Sequence, residues 1–438
     1  MIRIFSKNFY SRQVVALTIV ILVALLLGLV VTVSGPRVRS TVLDESLLGQ
    51  SYAMSFASDI GNNIEDFTIS PHIESTYAVS STKITITFDE PLKYNQEYDV
   101  SFVATDSKNR SSTVKSRFKT SSVDGYYLTR SNSSEKDTIY RFSLNDDTAD
   151  SIIYEAEEII LYELAKNSFA SLEQLGTDQK LYVITENKKQ QVSLPTNQQV
   201  NAIKGSTTKN SYIMRFIDAK LFTSSLWEYD ADDNELSEIF DEDGVPIRAG
   251  DIDYAPDGES IVFQDQNRVL QLRNDSTDQP PLVFGEFNTL RRFLPNEKAL
   301  FGYRNNKPIG IRASDGSFIE PIKEIETSYQ TIIMQDLESY VYLRQKFNDS
   351  EDSLEQSLIS YSAGKESIVT TELLDKTLFM SLDVSPNDQY VSLEEAAMPA
   401  VYDDKRPNSK PKNVSLSIYD RESGAKIKTI NGFDIQWR

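Results

Sequence analysis

One histidine, His72, and no cysteine occur in the 438 residues. That inventory removes disulfides, thiolate zinc sites, Cys nucleophiles and multi-histidine metal sites, and it leaves Ser-His chemistry a single base. No Gly-x-Ser-x-Gly elbow follows a strand, and no phosphate loop ending in Gly-Lys-Ser/Thr occurs. Asp230-x-Asp232-x-Asn234 is spaced like the start of a calcium loop. Glu235, however, stands where the sharp turn needs Gly, and Asp241 where the twelfth position needs Glu, so a hairpin between Leu226-Trp227 and Ile239-Phe240 explains it better. The adjacent carboxylates Glu157-Glu158, Glu394-Glu395 and Asp403-Asp404 point to opposite faces of a strand, so they read as charged surface and not as an acid-base pair. His72, beside Pro71, also reads as surface. No catalytic residue, cofactor or metal site is assigned. Carboxylates brought together from separate elements need no local motif, and they leave an enzyme open.

Binding groups are richer. Residues 396–412 (AAMPAVYDDKRPNSKPK) join Met398, Val401 and Tyr402 to Lys405, Arg406, Lys410 and Lys412, and an acidic stretch, 346–356 (KFNDSEDSLEQ), interrupts the chain some fifty residues earlier. Long insertions on a rigid scaffold are where binding concentrates. Met398, Tyr402, Lys405, Arg406 and Lys410 are therefore the expected anchors for a partner protein or an acidic envelope polymer.

The elements that must carry these insertions are strands. From residue 124 onward one phrase recurs: an apolar strand, a tight Pro/Asp/Asn turn and a second apolar strand. Its clearest copies are 253–263 (DYAPDGESIVF), 292–303 (RFLPNEKALFGY), 332–343 (IIMQDLESYVYL) and 383–393 (DVSPNDQYVSL), with steps of 39, 40 and 51 between Pro256, Pro295, Gln335 and Pro386. Weaker copies lie at 164–172 and 207–216. Two more strand-like runs follow each phrase, which makes four strands per unit. Four-stranded units of ~40 to 45 residues are propeller blades, because one blade cannot bury both of its faces alone. Six copies cover 158–431, and the ends supply a seventh: DIQW (434–437) matches DIDY (251–254), and VDGYYLTR (123–130) matches the turn and strand that follow it. Sharing a blade between the two ends closes the ring and removes a free edge. Seven blades over 124–438, closed by the last strand, are expected. APDGESIVF and SPNDQYVSL resemble the repeats of TolB-type propellers. That resemblance implies the fold and no function.

Blades four and five have short turns between their second and third strands, whereas six and seven carry the insertions 346–356 and 396–412 there. Equivalent loops emerge on one face of the disc, so the two insertions are expected side by side.

Before the repeats, 82–88 (TKITITF) sets Ile84, Ile86 and Phe88 on one face, and 98–103 (YDVSFV) repeats the alternation. The order FTISP (67–71), KITITFDEPL (83–92), YDVSF (98–102), ATDSKNR (104–110) and FKT (118–120) resembles the bacterial Ig-like modules of surface-layer and envelope proteins, over 47–120. Such a module implies a small sandwich that acts as a spacer or in adhesion.

Residues 14–33 (VVALTIVILVALLLGLVVTV) are an uncharged run of twenty, and about 20 apolar residues span a hydrocarbon core of roughly 30 Å. The run exceeds a signal's apolar region of roughly 7–15 residues, and Ser34-Gly35-Pro36-Arg37 is a poor cleavage context. An uncleaved transmembrane anchor at 14–33 is expected, between a cytoplasmic tail at 1–13 and a linker at 34–46. Arg3, Lys7 and Arg12 before the run outweigh Arg37 and Arg39 after it only slightly, and the repeat-rich remainder reads as an exported domain, so the bulk is expected outside the cell membrane. The net charge of −20 repels phosphate backbones, which argues against a nucleic-acid partner.

Together these features lead to an all-β, single-pass protein: an extracytoplasmic binding or scaffold module of a cell envelope. The alternatives are a carbohydrate-active or peptide-processing propeller enzyme using Asp/Glu, and a small-ligand sensor. Deleting 396–412 is expected to leave thermal stability, read by melting temperature, nearly unchanged and to abolish capture of the partner.

Overall fold

The computed structural model describes residues 16–21, 35–46, 49–130, 136–144, 149–185, 188–274, 280–287, 289–294, 299–304, 307–312, 317–319, 328–350, 352–400 and 413–438. They divide into two compact units, one of residues 1–92 and 96–120, the other of 93–95 and 121–438.

The expected transmembrane helix is corrected. Of 14–33 only 16–21 are described, as a helix, and the rest of the run lies outside the described residues. No helix among the described residues is long and apolar enough to cross a membrane.

The first unit is two sheets on one core. A four-stranded sheet runs Val38–Asp44, Ser51–Phe56, Lys83–Phe88, Ser75–Ser80, and a three-stranded sheet runs Ile60–Ser70, Glu97–Asp106, Ser111–Lys119. The alternating residues do the packing: Tyr52 faces Ile86 and Met54 faces Ile84 in one sheet, Tyr98 faces Phe118 and Phe102 faces Val114 in the other, and all are buried. Part of the expected linker is strand, because Val38–Asp44 pairs with Ser51–Phe56 at the sheet edge. It is mostly exposed, so no apolar alternation announces it. His72 lies exposed, 3.6 Å from Glu74.

The second unit is seven four-stranded antiparallel sheets in chain order, and it is a β-propeller. Blade two is Ile159–Leu164, Ser168–Leu175, Asp178–Thr185 and Lys188–Val192, and blades three to seven repeat that order. Blade one is completed from the far end of the chain: Phe433–Trp437 pairs with Asp124–Thr129, which pairs with Asp137–Ser143 and then Ser151–Ala156. Seven apolar clusters lie between consecutive sheets. Tyr212 and Met214 pack with Leu172 and Val183 between blades two and three, Val391 and Leu393 with Val341 and Leu358 between six and seven, and Leu416 and Ile418 with Tyr127 and Phe142 between seven and one. That last cluster makes the array a ring. A fully buried side chain of this kind is worth roughly 1.5–3 kcal/mol, so the stability of the unit lies between blades.

The recurring turn phrase has a second task at one end of the ring. Among the described residues three of these turns are hydrogen-bonded to the next: Lys166 N donates to the Lys209 carbonyl at 3.2 Å, Asn167 N to Asn210 Oδ1 at 2.9 Å, and Ser206 Oγ and Thr208 Oγ1 to the carbonyls of Gly258 and Asp257 at 2.8 and 3.0 Å. Gln335 N donates to Asp388 Oδ2 at 2.5 Å. Gly258 is required there twice over: its φ is +66°, and a Cβ would lie 2.0 Å from Thr208 Oγ1 and 2.7 Å from Ser206 Oγ. Gly258→Ala is expected to lower the melting temperature, since the left-handed conformation alone costs a non-glycine residue about 1–2 kcal/mol. An unchanged thermal unfolding curve would show the staple to be dispensable.

Candidate functional site

The opposite end of the ring carries the connections between second and third strands. In blade six the expected loop is a regular hairpin extension. Tyr340–Asn348 and Ser353–Ser362 pair without interruption through Gln345↔Gln356, Lys346↔Glu355, Phe347↔Leu354 and Asn348↔Ser353. The tip carries acids, and Phe347 is 52% exposed. In blade seven Ala396 and Ala397 belong to Tyr390–Ala397, with Ala396 fully buried, so the excursion begins only at Met398.

Of the expected anchors, Met398 is described and half exposed, and its N–H donates to the Lys376 carbonyl at 2.8 Å. Tyr402, Lys405, Arg406 and Lys410 lie outside the described residues. The two excursions share a base. Leu374 N donates to the Leu354 carbonyl at 2.8 Å, Gln356 Nε2 to the Thr377 carbonyl at 2.8 Å, and Met398 N to Lys376. One segment, 374–377, thus ties the hairpin of blade six to the start of the excursion in blade seven.

A second feature was not legible in sequence. In six blades the innermost strand enters its turn through one repeated bond, from Ala165 N to Ser168 O, Ser206 N to Ser211 O, Ala255 N to Ser260 O, Met334 N to Ser339 O, Ser385 N to Tyr390 O and Arg438 N to Asp124 O. Two residues before each of these amides stand Glu163, Lys204, Asp253, Ile332, Asp383 and Gln436. Their equivalent places on the innermost strands make them one layer of the repeat, the channel layer, in which Lys204 feels the charges of Glu163, Asp253 and Asp383 from three other blades. Lys204 Nζ lies 3.6 Å from Glu163 Oε1, and Gln436 Nε2 donates to Glu163 Oε2 at 3.0 Å. Glu163, then Asp253 and Asp383, raise the Lys204 ammonium above its usual range, although its side chain is partly exposed. Burial pushes the Glu163 and Asp253 carboxyls up, and Lys204 pulls both back. No group of three ligating side chains among the described residues is placed to hold a metal ion. The layer can present charge to a small polar ligand, with one cation already neutralising part of it. The sequence signal for it was the residue two places before each turn phrase.

The other candidates resolve as structure. Asp230 Oδ1 accepts the N–H of Asp232 at 2.8 Å and of Asp233 at 3.2 Å, so it caps its own hairpin turn. Glu394 and Glu395 do face apart, but neither is plain surface. Glu394 is 4% exposed and accepts the Asp434 N–H at 2.6 Å, while Glu395, its carboxyl raised by burial, accepts from Tyr419 OH at 3.3 Å.

No family model and no curated protein matches the sequence. Among solved structures the chain is similar to TolB from Acinetobacter baumannii, with 12% identity over 79% of this chain and 81% of that one and a TM-score of 0.38. It is similar to the β-propeller domain of the Trilobed protease from Pyrococcus furiosus, with 10% identity over 77% and 96% and a TM-score of 0.45. A third likeness is to the acylaminoacyl peptidase of Pyrococcus horikoshii, with 11% identity over 78% of this chain and 51% of that one and a TM-score of 0.44. Such likenesses carry no function. The propeller rests on the seven sheets themselves.

The channel layer generates a signed pH effect. The Asp253 carboxyl is raised above its ordinary 3.8 by burial, so its ionisation weighs against the fold increasingly as pH rises past that value. Asp253→Asn is expected to gain melting temperature relative to the parent between about pH 4 and pH 7, with the difference smallest at the acid end. A difference that shrinks toward neutrality would reverse the assignment.

Proposed function

We propose that this chain is a binding module of a bacterial-type envelope, working outside the cytoplasm, in which an Ig-like sandwich (47–120) is a spacer and the propeller captures a protein or an envelope polymer. The observation that carries this reading is the shared base of the two excursions: a rigid, acid-tipped hairpin with an exposed Phe347 beside an excursion whose sequence is basic and aromatic. An acidic projection and an excursion of basic sequence that start from one base suit a partner that itself alternates charge around an apolar contact. Tyr402, Lys405, Arg406, Lys410 and Met398 supply the aromatic, cationic and flexible apolar groups from one excursion, and Phe347 and Glu355 supply the complement from the other. The stapled opposite end supports the same reading, because a stiff ring holds the site without needing to order it on binding.

A second reading, an enzyme or a small-ligand sensor, draws on Glu163, Asp253 and Asp383 in the channel layer. The two separate by variant. Replacing 346–355 with Asn-Gly, or deleting 399–412, is expected to abolish partner capture in pull-down and crosslinking while melting temperature stays near the parent's. Undiminished capture in both variants, or glycan or peptide turnover lost in Asp253→Asn, would move the function into the channel.

A further inference from the structure

Asn431-Gly432 is the one Asn-Gly pair in the sequence. It makes up the whole connection between Lys426–Ile430, the outermost strand of blade seven, and Phe433–Trp437, the strand that completes blade one. Asn431 is exposed, and among the described residues neither its carboxamide nor the Gly432 N–H makes a hydrogen bond. Gly432 is buried, and a Cβ on it would stand 2.6 Å from the Tyr127 ring and 2.9 Å from the Leu128 carbonyl. Packing therefore demands glycine at the position that also leaves the neighbouring nitrogen least shielded.

We propose that Asn431 is a site of spontaneous deamidation, a slow chemical change acting on ring closure. The Gly432 nitrogen attacks Asn431 Cγ and gives up its proton, the C–N bond of the carboxamide breaks, and ammonia leaves. The product is a succinimide. Water opens it at either carbonyl, giving aspartate with the original backbone or isoaspartate with the backbone rerouted through the side chain. No oxidant, reductant or metal takes part. Isoaspartate adds a methylene to a two-residue connection held at both ends, by Ile430 opposite Leu416 and by Phe433 opposite Leu128. The extra length has to be absorbed in the closing strand, whose Asp434 N–H and Gln436 side chain hold it to the neighbouring blades.

The test warms the full chain in mildly alkaline buffer, folded and urea-denatured in parallel, and follows the tryptic peptide 429–438. The folded chain is expected to acquire the mass of an amide-to-acid exchange, to yield separable aspartate and isoaspartate forms, and to become an isoaspartyl methyl acceptor. Asn431→Gln is expected to do none of these. The isoaspartate form is expected to melt below the Asn431→Asp variant, which carries the new charge without the added backbone atom. Conversion of the denatured chain alone would overturn the site. An isoaspartate form that melts with the unmodified protein would overturn its effect on closure.

Discussion

Closure of the ring is the constraint on which the second unit depends. Phe433–Trp437 has a short, irregular ladder to Asp124–Thr129, with direct partners at Phe433↔Leu128, Gln436↔Tyr126 and Trp437↔Gly125. Side chains of both flanking blades complete the attachment. Glu394 of blade seven accepts the Asp434 N–H, Gln436 Oε1 accepts from Leu164 N at 3.0 Å, and Gln436 Nε2 donates to the Tyr162 carbonyl at 2.6 Å. A buried carboxylate that accepts a backbone N–H is a strong contact, and losing it leaves an unpaired charge in the interior. The two Gln436 bonds join residues 272 and 274 apart in the chain, so they form only after most blades are in place.

Closure divides the surface into two unlike ends. At one, turns between first and second strands are bonded to the next between blades two and three, three and four, and six and seven, so their sequences serve the ring. At the other, the connections between second and third strands have no such duty, and there blades six and seven depart from the repeat. Blade six extends its ladder out to Asn348↔Ser353, which pairs the backbone of the projection up to its tip and makes it stiff. Blade seven leaves its ladder at Met398, and the outgoing chain is tied back at once to Lys376. In the channel layer the carboxylates and Lys204 offset one another, which lets partly buried ionisable groups of different blades sit together.

Much of this was legible in sequence, and the failures have physical causes. Alternation exposed the sandwich strands around Ile84, Ile86 and Phe88, and the Pro/Asp/Asn phrase marked each blade. The edge strand Val38–Asp44 escaped because it buries almost nothing, and the hairpin of blade six read as a loop because the solvent-facing ladder needs no apolar pattern. The anchor expected at 14–33 rested on hydropathy and length alone, and no helix among the described residues is long and apolar enough to cross a membrane.

The period of the repeat, the match between the two ends of the propeller region and the lack of thiol or imidazole chemistry are properties of residue order and composition, and sequence alone determined them. The channel layer was decided by tertiary structure. An extra residue breaks the register of the innermost strand between Ile159 and Leu161, Val200 and Ala202, Ser328 and Gln330, and Phe379 and Ser381. A bulge resets which side chains face inward, so a period of two cannot be followed through it. Glu163, Lys204, Asp253 and Asp383 come from four different blades, and only the closed ring brings their charges within range of each other.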